Sequence, residues 1–222
     1  MASENINNKK EEKTIPRLYP SKAIKDIKNI NDVICNIQYV YSNAINTYFD
    51  RLYELWTSPK ALEFYGRACN ELRKFNSAII NFNDSIINEL VASYNRIAPS
   101  HRESSISVSK GPYNSLKITR LLEKSPSGKV GMDDKMVENV SKEFLMQIKN
   151  IVNKTSPIPS MVSFYDTDGK LAGSCNTKIS ELRLILERTL SKTNLLVDEV
   201  DDAVSSVRKA TASAISVLNS RS

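Results

Sequence analysis

The sequence predicts an all-α protein: two long helical hairpins forming an elongated four-helix bundle, with one or two small β-hairpins in the connecting segments. Three observations lead there. Apolar residues recur at steps of three and four along two long runs on either side of Trp56, the only tryptophan. The same period returns after a connector, in a short third run and a long fourth one. With 6 glycines in 222 residues and 7% aromatic residues, the chain is also poor in the residues of tight turns and sheets.

Residues 1–20 are polar and charged and lack the apolar core of a signal peptide, so a solvated, disordered tail is expected. No run approaches the roughly 20 apolar residues that span a bilayer. The expected location is the cytoplasm, or outside the cell by a route without a cleaved leader.

Residues 21–98 form the first hairpin. Its first stripe runs through Ile24, Ile27, Ile34, Tyr41, Ile45, Tyr48, Leu52 and Leu55. Its second runs through Leu62, Tyr65, Cys69, Leu72, Phe75, Ile79, Phe82, Ile86, Leu90, Tyr94 and Ile97. Between them, Pro59 disfavours helical dihedrals at Ser58 and suits the first helical position. Ser58 is the expected N-cap, and Trp56 the aromatic anchor of the bend. Tyr39, Tyr41, Tyr48, Tyr53 and Tyr65 crowd this hairpin. They are candidate interface residues, because Tyr39 and Tyr41 cannot both lie on one narrow stripe.

Residues 99–131 form a basic connector. Arg102, Lys110, Lys117, Arg120, Lys124 and Lys129 face only Glu103 and Glu123, so six minus two gives four of the chain's net +6 charges. The helical segments are nearly balanced. Alternation in Ile106-Ser107-Val108 and Leu116-Lys117-Ile118, around Gly111-Pro112-Tyr113-Asn114, predicts a β-hairpin. The basic patch, with Tyr113 as a stacking ring, is a candidate phosphate contact. No helix-turn-helix, zinc-finger or RNA-binding sheet motif accompanies it.

The second hairpin occupies residues 132–222. A third helix is expected over residues 133–154, with Val137, Val140, Phe144, Ile148 and Ile151 as its stripe, ended by Pro157 and Pro159. A β-hairpin-like bend follows at 156–175, with Lys170-Leu171-Ala172 as the return strand after the turn at Asp166-Thr167-Asp168-Gly169. The fourth helix is expected over residues 176–218, striped by Ile179, Leu182, Leu186, Leu190, Leu196, Val200, Val204, Val207, Ala214 and Val217. It exceeds the third by roughly 20 residues, or about 30 Å. That overhang has to pack along the first hairpin or against another protein.

Local chemistry is sparse. His101 is the single histidine and sits in a Ser-rich loop without a triad or metal signature. No glycine-rich phosphate loop is present. Asp166 and Asp168 read as turn residues rather than the start of a calcium loop. Asp198, Glu199, Asp201 and Asp202 read as a solvated helix face. Cys35 and Cys69 read as small buried hydrophobes, since reflection about the bend puts Cys35 opposite about residue 80 and Cys69 roughly 15 Å away along the axis. Cys175, in a loop-like segment, reads as a free thiol. No catalytic residue, metal or cofactor is expected, and the protein is expected not to be an enzyme.

The bend Trp56-Thr57-Ser58-Pro59 between two long stripes resembles that of the WXG100 family, with Ser58 at the glycine position of the Trp-x-Gly motif. The resemblance covers residues 21–98. It implies a helical hairpin of the kind that dimerises into four-helix bundles and travels through type VII secretion without a leader. The chain is about twice the length of such proteins, so its two hairpins would be a covalent version of the family's dimer. The family's Tyr-x-x-x-Asp/Glu signal is missing after the second helix, where Tyr94 is followed by Ala98. The resemblance implies a non-enzymatic interaction protein of a type VII-like pathway, as a secreted substrate or as its partner or chaperone. Its partner would be a helical secretion protein or toxin. A coiled-coil scaffold of a phage or of cell architecture, assembling with itself, is the second expectation, and nucleic-acid binding through the basic connector the third.

Overall fold

The computed structural model describes residues 20–117, 131–153 and 170–220, and in 170–179 the backbone only. Helix α1 spans Pro20–Leu55, α2 Pro59–Ile97, α3 Asp134–Asn153 and α4 Lys170–Asn219. A single 3-10 turn, Ala98–His101, follows α2. Two two-residue strands, β1 (Trp56–Thr57) and β2 (Gly131–Met132), form the one sheet among the described residues. The chain is therefore mostly helical, as the periodicity predicts. The tail, Arg120, Lys124, Lys129 and the turn at 166–169 lie outside the described residues.

The stripes decide the packing. α1 packs on α2 and α3, and α4 packs on α2 and α3. Residues of all four helices join one hydrophobic core. An amphipathic helix gains most of its stability from burying such a face rather than from propensity. At the contact between the two halves, the Tyr48 ring of α1 stacks on Phe144 of α3, with centroids 4.2 Å apart and planes 6° apart. Its hydroxyl meets Ser141 Oγ at 3.2 Å, so the ring is buried without orphaning its polar tip. Around the core, Arg51 pairs with Glu143, Arg67 with Glu199, and Arg208 with both Asp134 and Glu138. These pairs are half-exposed and fix register more than they add stability.

Three sequence expectations change. The connector forms no β-hairpin among its described residues. Residues 103–117 run as an extended strap whose backbone bonds to side chains of α1 and α2 rather than to a second strand. Lys170-Leu171-Ala172 is the first turn of α4 rather than a return strand. The overhang of α4 is split between its two ends. Arg208 beside Asp134 sets an antiparallel register in which α4 residues before about 189 pass beyond Asn153. There Leu182, Leu186 and Thr189 are buried, and α4 packs on α2 of the first hairpin. At the other end, burial stops at Val204 and every residue from 205 to 219 is exposed.

Phe144→Ala removes a ring that is 2% exposed and stacked across the two halves. The variant should lose about 3–5 kcal/mol of stability in urea unfolding. A loss below about 1 kcal/mol would mean that the halves do not depend on this contact.

Candidate functional site

The bend is built from caps. Ser58 is extended (φ −165°, ψ 162°), and its Oγ accepts from Ala61 N–H at 3.0 Å while Pro59 opens α2. Trp56 is 5% exposed and packs against Phe64 and Tyr65, with centroids 5.6 and 6.1 Å away. The Tyr65 hydroxyl lies 2.6 Å from the Trp56 carbonyl and 3.0 Å from that of Leu52, serving carbonyls that the end of α1 leaves unpaired. Trp56 also pairs with Met132 and Thr57 with Gly131 across the β1–β2 ladder. One residue on, Asp133 N–H donates to the Leu55 carbonyl at 2.9 Å, and its carboxylate accepts from Met136 N–H at 3.1 Å. Asp133 thus caps α3 while its own main chain is fastened to the end of α1.

Above this bend lies an apolar hollow of about 720 Å³. Trp56, Pro59, Phe64, Met132, Ala203, Val207 and Ala210 supply its apolar lining. A second, more polar hollow of about 920 Å³ follows between α2 and α4, and Arg67 and Glu199 line both. Their ion pair therefore divides one furrow into two. From the hollow onward the stripe of α4 is exposed: Val207 is 39% exposed, Ile215 52%, Val217 48% and Leu218 68%.

The predicted site residues fall into separate groups. Trp56, Ser58 and Pro59 meet at the bend as expected. Of the tyrosines, Tyr41, Tyr48 and Tyr65 are core residues, with burial pushing their phenols up. Tyr48 serves an interface, but one inside the chain. Tyr53 is half-buried beside Tyr65, and Tyr39, at 53% exposure, is the one on the surface. Arg102, at the end of the 3-10 turn, and Lys110 and Lys117, on the strap, are exposed. His101 Nδ1 sits 3.1 Å from Ser100 Oγ and 3.3 Å from the Ile97 carbonyl, within the 3-10 turn. Cys35 and Cys69 are free and buried, and burial pushes the Cys69 thiol up to about 12. The side chain of Cys175 lies outside the described residues. Asp198, Glu199, Asp201 and Asp202 are more than a solvated face: Glu199 pairs with Arg67 and Asp202 lines the hollow.

Among the described residues, no group of His, Cys, Asp and Glu is placed to hold a metal ion, and no helix is long and apolar enough to cross a membrane. No family model, curated protein or solved structure matches the chain.

Two outcomes follow from this geometry. Ser58→Ala removes the cap on α2 and should cost about 1 kcal/mol in thermal or urea unfolding, whereas Ser58→Gly should cost only a few tenths. Asp201 has a buried Oδ1 without a partner, and desolvation, then Glu138 and the acidic neighbours Asp198 and Asp202, raise its carboxyl above the ordinary 3.8 despite Lys142. The folded state therefore binds this proton more tightly than the unfolded state. Stability from this group is lost as pH rises from 3.8 through the raised value. Asp201→Asn should raise Tm at pH 7, with the gain shrinking toward pH 4. A constant difference across that range would remove the assignment.

Proposed function

We propose that this is a non-enzymatic helical interaction protein that works by helix packing in a type VII-like secretion pathway, as a secreted substrate or as the partner or chaperone of one. The observation that carries this reading is the stripe of α4. It is core up to Val204, then continues exposed through Val207 and Leu218 beside an apolar hollow. An amphipathic helix laid along that hollow would bury both surfaces at once. The pathway rests on the bend, whose Trp56-Thr57-Ser58-Pro59 resembles that of WXG100 proteins. The helices are read as a four-helix bundle within one chain, a covalent counterpart of that family's dimer. Trp56 locks the bend and lines the hollow, so it acts on a partner through the shape it holds.

The test compares tagged full-length protein with Val207→Lys/Leu218→Lys in pull-downs from the source cells, read by mass spectrometry and the 260/280 nm absorbance ratio. Both positions are exposed, so helicity should not change. The wild type should retain a stoichiometric small helical protein or toxin-like chain, and the variant should lose it by about tenfold or more. Equal retention by the variant would reject this surface. Bait alone, as an oligomer that the variant dissolves, would make the protein a self-assembling scaffold. A 260 nm signal removed by salt would move the function to the basic connector.

A further inference from the structure

The strap is held in an unusual way. Four side-chain amides of α1 and α2 each both donate to and accept from its main chain. Asn95 donates to the Ile106 carbonyl at 3.0 Å and accepts from Ile106 N–H at 2.7 Å. Asn31 donates to the Gly111 carbonyl at 3.0 Å and accepts from its N–H at 3.3 Å. Gln38 does the same for Asn114, at 2.8 and 2.9 Å. Asn46 donates to the Ser115 carbonyl at 3.2 Å and accepts from Lys117 N–H at 2.8 Å.

The spacing has a physical origin. Asn31, Gln38 and Asn46 stand seven and eight residues apart, about 10 and 12 Å along a helix. Their partners Gly111, Asn114 and Lys117 stand three apart in sequence, and each amide meets its own main-chain partner. Helix and strap therefore stay in step. Two side-chain features add selectivity. Tyr113 donates to Asp84 at 2.5 Å and accepts from Asn83 at 2.9 Å. Gly111 has φ +82°, and a β-carbon there would lie 3.3 Å from Tyr113 N, so only glycine fits without strain.

No strap residue from 103 to 117 is buried; Ile106, Val108 and Leu116 only partly cover the core. The floor below is polar, with Asn31, Gln38, Asn76 and Asn83 each no more than 7% exposed. A floor of amides remains wettable when the strap leaves, whereas an apolar floor would not. The groove thus recognises an extended main chain, and the strap is the occupant it holds in cis.

We propose that the α1–α2 groove is a binding site for an extended segment of another polypeptide, one carrying glycine followed two residues later by tyrosine, and that residues 103–117 occupy it until such a segment displaces them. This is independent of the helix-packing surface at the bend. The tethered strap competes at an effective concentration on the order of millimolar, so the intact chain takes up a free segment weakly. Loosening the strap reveals the site.

The experiment uses the full chain with Tyr113→Ala and a fluorescein-labelled peptide with the sequence of residues 103–117. The variant should bind the peptide saturably, about tenfold or more tighter than the wild type does. Binding should fail when the peptide's own tyrosine is replaced by alanine, or when Gln38→Ala is added to the variant. A folded Tyr113→Ala chain that ignores the peptide would overturn the proposal. So would a strap-exchanged dimer in place of peptide uptake, which makes a second copy the occupant. Should that variant not fold, amide exchange in the wild type decides. The Gly111 and Asn114 amides should exchange about a hundredfold or more faster than that of Leu72 in the core of α2. Exchange at the same rate as Leu72 would mean that the strap leaves only on global unfolding, and the proposal fails.

Discussion

The Leu55 carbonyl is the pivot of this structure. It is one of the acceptors that the end of α1 leaves unpaired, and Asp133 N–H takes it at 2.9 Å. With the Trp56–Met132 pairing beside it, this bond fixes where the second half begins relative to the first. The rest follows from that starting point. α3 leaves the bend with its stripe turned to α1, so Phe144 reaches Tyr48 and Ser141 reaches its hydroxyl. α4 packs on both α2 and α3, and its length beyond Asp134 becomes the exposed end. Beside this pin, the ion pairs of Arg51, Arg67 and Arg208 hold the same register farther along the helices.

What was legible in the sequence was whatever depends on one residue's neighbours along the chain. The stripes, the Ser58 cap and the break at Pro59 are local rules, and the first three helices lie close to where their period places them, whereas α4 begins at Lys170, in the stretch expected to be a return strand. Reflection about the bend puts Cys35 opposite about residue 80, and Asn83 is the α2 residue that meets it. The tyrosines were harder to place, because a ring with a polar tip fits a core and a surface equally well until its partner is known. Tyr41 bonds the Leu72 carbonyl and Tyr65 those of Leu52 and Trp56, and none of these three acceptors leaves a mark in the sequence.

The connector departs from its expected β-hairpin for a physical reason. Alternation of Ile106, Val108 and Leu116 says only that the segment is extended with one face covered; it does not say what completes its hydrogen bonds. Here side-chain amides complete them, so no strand is formed. A signal for this existed on the helices themselves. Asn31, Gln38, Asn76 and Asn83 interrupt or border otherwise apolar faces at spacings of seven. A buried amide left unpaired costs about 1–3 kcal/mol, so a row of them at helical spacing implies a polar occupant above.

The in-step match of three extended residues to seven or eight helical ones bears on how such a chain diversifies. Ser107, Ser109, Lys110 and Ser115 are exposed, and only the main-chain carbonyl of Ser115 enters the amide ladder, so their side chains are open to substitution. Length is a different matter. Removing one residue between Gly111 and Lys117 would slide every later amide past its carbonyl by about 3.3 Å, beyond hydrogen-bond reach. Descendants of this sequence are therefore free to change spelling at those four positions and bound to keep the strap's metre, the reverse of what surface loops ordinarily allow.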